Sequence, residues 1–225
     1  MQKNNFFLRL AQYSGFAGFI GLSSLVKLSW IVGSHISFFS GINIAAPLSG
    51  AFGGIFGSIV AFVVRIAINF CFFGVLSVKC LLLGVPNFFA SLYWGTTHWL
   101  VRVGLPITCM ALFWLHPTGF AAGAYALYWL IPVTIHFLSR KHIFFEALGS
   151  TFVAHAVGSI IWLYAAPMMP GVWLALIPMV ALERLLFATG MVVAHYLITT
   201  VMHYVNQQQV SGNKRALGIA YNSTR

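Results

Sequence analysis

The chain has 225 residues, 60% of them hydrophobic and only 6% charged, with twelve Lys and Arg against two Glu and no Asp, for a formal net charge of +10. A soluble domain of this size needs a polar exterior, whereas apolar runs of membrane-spanning length recur along nearly the whole sequence, so a soluble fold is excluded. The basic residues sit mainly at the ends of those runs, without the dense clustering that phosphate contacts require, which excludes nucleic acid as a partner and points to the lipid bilayer.

In chain order, "MQKNNFFLRLAQYSGFAGFIGLSSLVKLSW" has a basic start and an apolar stretch that outruns a signal-peptide h-region and lacks a small-x-small cleavage site. It predicts a retained first span over roughly residues 10–33. The next stretch, "SHISFFSGINIAAP", carries no Lys, Arg, Asp or Glu and reads as a lid over a cavity or as an apolar loop in the interface. Gly50-xxx-Gly54 and Gly53-xxx-Gly57 in "SGAFGGIFGS" allow close helix approach, within the protein or against a partner subunit. Further spans are predicted over residues 46–65, 66–84, 118–138, 144–166 and 172–204, which makes six clear spans. Residues 85–117 are apolar but interrupted by Pro86, Gly95, His98, Arg102, Gly104 and Pro106, and they read as up to two more short or re-entrant segments.

The expected fold class is therefore all-α, a polytopic transmembrane helical bundle forming a single domain over residues 1–205, followed by a polar basic cytoplasmic tail over 206–225. Lys3, Arg9, Arg65 in the second connection, Arg140, Lys141, Lys214 and Arg215 fit the cytoplasmic side of a plasma (inner) membrane, with both termini inside. Lys79 and Arg102 do not fit that pattern, and snorkelling to an interface accounts for them at least cost.

Ionisable groups at membrane depth cost about 2.5–3.5 kcal/mol each, so the two acids carry most information. Glu146 follows "SRKH" and suits a helix N-terminus, where a carboxylate meets the positive end of the macrodipole. Glu183 and Arg184 lie well inside the last run, after Pro178, which reads as a break or kink. Adjacent helical residues point about 100° apart, so this pair does not simply neutralise itself on one face. Glu183 either pairs with a basic residue of another helix or contacts a ligand. Ala188, Met191, His195 and Thr199 follow the Arg184 face, which borders a pocket without lining it continuously.

In "GSTFVAHAVGSIIWLY", Thr151, His155, Ser159 and Trp162 recur at i, i+4, i+8 and i+11, one face of a helix bearing a hydroxyl, an imidazole, a hydroxyl and an indole. That face can meet Arg184 and His195 across a polar cavity, or His155 can serve only as an interhelical hydrogen bond. Cys71, Cys80 and Cys109 have no metal-ligand spacing, and HExxH is absent, so no metal site is expected. With Asp absent and no serine marked as activated, no catalytic residue is expected. His98, His116, His136, His195 and His203 lie in or beside spans and keep a haem-binding membrane enzyme open as an alternative. A scaffold whose polar stripes only hold helices together is another.

The size, the number of spans, the small-residue first span, the first loop, "PLSGAFGGIFGS" and "LIPMVALERLLFATG" resemble the substrate-binding S component of energy-coupling factor (ECF) type transporters. The resemblance implies a six-helix protein that captures a small-molecule substrate such as a vitamin and delivers it with a membrane partner subunit and ATPase subunits, without a cofactor of its own. It also implies Ala11, Gly15, Ala17 and Gly21 as partner contacts, residues 34–46 as a lid, and Thr151, His155, Ser159, Trp162, Glu183 and Arg184 as substrate-binding residues. The chain departs from the family in lacking the alanine-xxx-alanine pattern, and it has no Walker A motif, so any ATP is used by a partner.

Overall fold

Apolar runs inside a bilayer have no water to satisfy their backbone, so they close their own hydrogen bonds as helices. The computed structural model describes residues 39–73, 78–138 and 142–216, together with 18 and 27–28. They form a helical bundle: α1 (Ile42–Phe73), α2 (Val78–Gly95), a π-helical turn (Leu100–Gly104) that runs into α3 (Leu105–Leu115), α4 (Pro117–Ala121), a 3-10 stretch (Gly123–Trp129), α5 (Leu130–His136), α6 (Ile143–Ala165) and α7 (Pro170–Ala216). Ahead of them, two-residue strands β1 (Lys27–Leu28) and β2 (Phe39–Ser40) pair antiparallel with Lys27 opposite Ser40.

By length and composition alone, three helical stretches reach the size needed to cross a membrane, Ile42–Ile68, Ile143–Ala165 and Pro170–Gln208, which fits a membrane protein, although the first of them is not straight. Six clear spans do not emerge among the described residues. The run over 118–138 is broken into α4, the 3-10 stretch and α5, with Pro117 and Pro132 at helix starts and a change of helix type between them. The boundary expected at residues 65/66 is absent, because Arg65 lies inside α1 rather than in a connection. Pro178 does not break α7, which also continues past residue 205 to Ala216.

The helix α1 is folded at Gly54, whose φ of 59° and ψ of −146° are open essentially to glycine alone. A Cβ on Gly57 would run into the carbonyl oxygen of Ser49, although eight residues of straight helix separate two positions by about 12 Å. The limbs 42–53 and 55–73 therefore lie back to back, with Ile42, Ala45 and Ala46 of the first against Ala61 and Val64 of the second. The first limb rises only about 18 Å, too short for a hydrocarbon core of roughly 30 Å.

The helix α2 closes this hairpin through small residues on both sides. A Cβ on Gly50 would strike the Ser91 carbonyl oxygen, and one on Gly95 would lie 2.9 Å from that of Gly54. Gly50-xxx-Gly54 thus meets Ser91-xxx-Gly95 inside the protein. Buried Ser91 Oγ sits 2.9 Å from Ser49 Oγ and donates to Ser58 Oγ at 2.8 Å, so each limb is tied to α2 by a hydroxyl.

Helix α6 packs against α2, α3, α5 and α7 and is the centre of the bundle. Gly149 lets it approach Tyr93 of α2, and Ser150 Oγ donates to the Ala90 carbonyl at 2.7 Å. Beside it Phe113 meets Trp129 and Trp173 edge-on with ring centroids 5.3 Å apart in both pairs, the arrangement that aromatic quadrupoles favour.

Candidate functional site

His142 starts α6 by accepting the Phe144 N–H on its Nδ1 at 3.2 Å, which sets the register of Thr151, His155, Ser159 and Trp162 along one face. That face, with α7 opposite, encloses a cavity of about 470 Å³. Thr151, His155, Ser159, Trp162 and Arg184 line it together with Phe187 and Met191 of α7. Trp162 is 55% exposed, so the cavity reaches the surface beside it.

Glu183 is not among the lining residues, but its carboxylate lies 2.7 Å from the Arg184 guanidinium. This corrects the expectation that the two adjacent residues do not neutralise each other. Their backbone directions diverge, yet both side chains are long enough to curl together. Arg184 also donates from Nη1 to the Thr151 carbonyl at 3.3 Å, bridging α7 to α6, and its guanidinium stands 4.9 Å from the centroid of the Phe187 ring.

His195 does not join the cavity. It stacks on Phe52 of the α1 hairpin at 4.7 Å and on Trp94 of α2 at 6.1 Å, and so helps pin α7 to both. His98 and His116 accept backbone N–H groups two residues on, as His142 does, and their imidazoles serve as helix starts. Among the described residues no group of three or more His, Cys, Asp or Glu converges.

Among the cavity residues that escaped the sequence reading are Asn43, Asn87, Tyr125 and Trp173. Asn87 Nδ2 donates to Asn43 Oδ1 at 2.9 Å, joining the start of α1 to α2 in the cavity wall. Asn87 was legible as an uncharged polar residue within an apolar run, whereas nothing local distinguishes Tyr125 or Trp173 from core aromatics. Asn43 falls in the stretch 34–46 expected as a lid. Residues 34–38 lie outside the described residues, and the remainder is no free loop, since Ile42, Ala45 and Ala46 are buried in the hairpin. Ala11, Gly15, Ala17 and Gly21, expected at a partner, also lie outside the described residues.

The second buried charge pair was read wrongly from the sequence. Arg102 does not snorkel: it is 2% exposed, and its Nη1 lies 2.6 Å from Glu146 Oε2. Its Nε donates to the Thr96 carbonyl at 2.7 Å, and the guanidinium sits 4.4 Å from the centroid of the Tyr93 ring. Glu146 does occupy the first turn of α6 as expected, but it meets a cation there as well as the helix dipole. No protein-family model, curated protein or solved structure matches this chain.

Proposed function

We propose that this chain is an integral membrane subunit that binds a small nutrient, such as a vitamin or related micronutrient, and passes it across the bilayer with the help of an ATPase partner. The observation that carries this reading is the cavity of about 470 Å³, within the range of about 300–1,000 Å³ typical of small-molecule sites. Its wall combines aromatic rings, hydroxyls and one ion-paired arginine, the mixture that encloses a small amphipathic molecule and orients it. In this reading the chain crosses a plasma membrane several times with both termini cytoplasmic, in accord with Lys3, Arg9, Lys214 and Arg215 at its ends.

Native mass spectrometry of the protein, mildly solubilised from its own host, tests the proposal. An associated ATPase with a membrane subunit, or a retained nutrient-sized compound, is the expected result. Retained haem, or a protein that carries neither partner nor small molecule, would overturn it.

A further inference from the structure

We infer that the cavity takes its ligand from the bilayer: an amphiphile with a compact polar head, which enters head first beside Trp162 and leaves its apolar part toward the mouth; this inference rests on the reading of the cavity as a ligand site. Helices α6 and α7 form two of its walls and run antiparallel from the short connection between Ala165 and Pro170. Trp162 and Trp173 stand next to that connection, and Met168 and Leu176 complete an apolar entrance. Thr151 and Arg184 lie about 16 Å deeper along their helices, and there Arg184 donates to the Thr151 carbonyl. Asn87 of α2 belongs to the same inner half: it bonds to Asn43, and Ala90, one turn further along α2, takes the Ser150 hydroxyl on its carbonyl. The wall therefore turns from apolar to polar with depth, the order that suits an amphiphile inserted head first.

The mouth lies at a level of the bundle that meets lipid. No Lys, Arg, Asp or Glu occurs between Arg102 and Arg140 or between Glu146 and Glu183, so the connections at His116 and from Ala166 to Met169 carry no permanent charge. The His116 ring meets that of Tyr164 at 5.1 Å, and the Tyr164 hydroxyl donates to the Leu112 carbonyl at 2.9 Å, which puts both connections at one end of the bundle. Leu115 and Phe120 are 77% exposed there, and Met169 is 74% exposed. Loops in water present polar groups, whereas charge-free loops with bare apolar side chains belong in the lipid interface, where Trp is also enriched. The run Leu100–Leu115 rises at most about 24 Å, against a hydrocarbon core of roughly 30 Å, so it does not reach water at both ends. A solute dissolved in that leaflet reaches Trp162 without leaving the lipid.

Spin labels on the whole chain in phosphatidylcholine liposomes test the route, with Cys71, Cys80 and Cys109 replaced by alanine. Nitroxides at Trp162→Cys and Met169→Cys are expected to collide more often with oxygen, which concentrates in lipid, than with a water-soluble nickel chelate; Ser211→Cys, exposed near the end of α7, is the aqueous reference. Met169 does not line the cavity, so its label serves should Trp162→Cys fail to fold. Stearamide carrying a nitroxide either beside its head or at its tail end then tests the ligand class on protein without labels. The head-labelled form is expected to show the larger immobilised fraction. Gly158→Leu, whose Cβ clears Pro86 by 3.6 Å while the rest of the side chain fills the cavity, is expected to abolish that difference, and Ala154→Leu is the second filling variant. Dominant collision with the nickel chelate at the mouth sites overturns entry from lipid, while the cavity stands as a site reached from water. If the labels report lipid but stearamide behaves alike in wild type and both filling variants, the amphiphile class falls. Failure of the cavity as a ligand site altogether is read separately, by native mass spectrometry that retains no small molecule.

Discussion

Removing Glu146 should unfold this protein more readily than removing any other single carboxylate. Its partner Arg102 has a side chain only 3% exposed, against 11% for Glu146 itself, and the two atoms are 2.6 Å apart. Glu146→Ala leaves the guanidinium buried with the Thr96 carbonyl and the Tyr93 ring as its remaining contacts. Breaking a buried pair by deleting one partner costs about 3–5 kcal/mol. Because domain stabilities run at about 5–15 kcal/mol, this is a large fraction of the total. For a chain of this length the loss corresponds to a melting temperature lower by roughly 6–20 °C. The double variant Arg102→Met with Glu146→Leu removes both charges and keeps the volume, so it should regain most of the loss, as apolar replacements of buried pairs do. Thermal unfolding in one detergent, with wild type, both single variants and the double variant side by side, measures the coupling. If Glu146→Ala melts within about 2 °C of wild type, or the double variant is no better than the single ones, the pair does not hold α6 to the π-helical turn and the argument fails.

Further perturbations probe the remaining contacts. Gly54→Ala puts a Cβ on a residue with φ of 59° and ψ of −146°, so it should lower stability by about 1–3 kcal/mol, whereas Gly171→Ala, with open space around its Cβ, should change it by less than about 1 kcal/mol; denaturant titration of the two compares them directly. Ser91→Ala removes the hydroxyl that links Ser49 to Ser58, each of which keeps its own bond to a backbone carbonyl, so it should cost about 0.5–1.5 kcal/mol in the same titration, and no measurable loss would mean that the link does not hold the hairpin to α2. His142→Ala removes the acceptor at the start of α6 and should destabilise by about 0.5–2 kcal/mol, while His142→Asp should restore or exceed wild type, because it caps the helix and favours its dipole. Arg184→Met unpairs Glu183 behind the cavity and breaks the wall's bridge to Thr151, so binding of a retained small molecule should weaken by at least about tenfold; unchanged binding in equilibrium dialysis would place the ligand elsewhere.

Much of the cavity was legible because helical periodicity is local. Spacings of four, four and three residues put Thr151, His155, Ser159 and Trp162 on one face whatever lies opposite, and the structure gathers all four, with Arg184, around one cavity. Asn43 and Tyr125 were not legible, because they reach the wall from α1 and the 3-10 stretch. The fold was legible to a similar depth. Apolar runs announce helices, but a run of uniform hydrophobicity does not reveal where it bends. The reversal at Gly54 and the partition of residues 117–136 depend on backbone torsion and on neighbours.

The sequence by itself determined the medium and the helical class: with 60% hydrophobic and 6% charged residues, only a bilayer accommodates this surface, and only self-satisfied backbone survives there. It also determined that Gly50 and Gly54 serve close packing of some kind. Tertiary structure alone decided the partners. Arg102 and Glu146 are 44 residues apart in sequence yet 2.6 Å apart in space, and Glu183 turns to its own neighbour rather than to another helix. Burial makes unpaired charge costly, so Arg102 and Arg184 each take the carboxylate that the packing brings within reach. That choice is made by the assembled helices, and no local pattern in the chain encodes it.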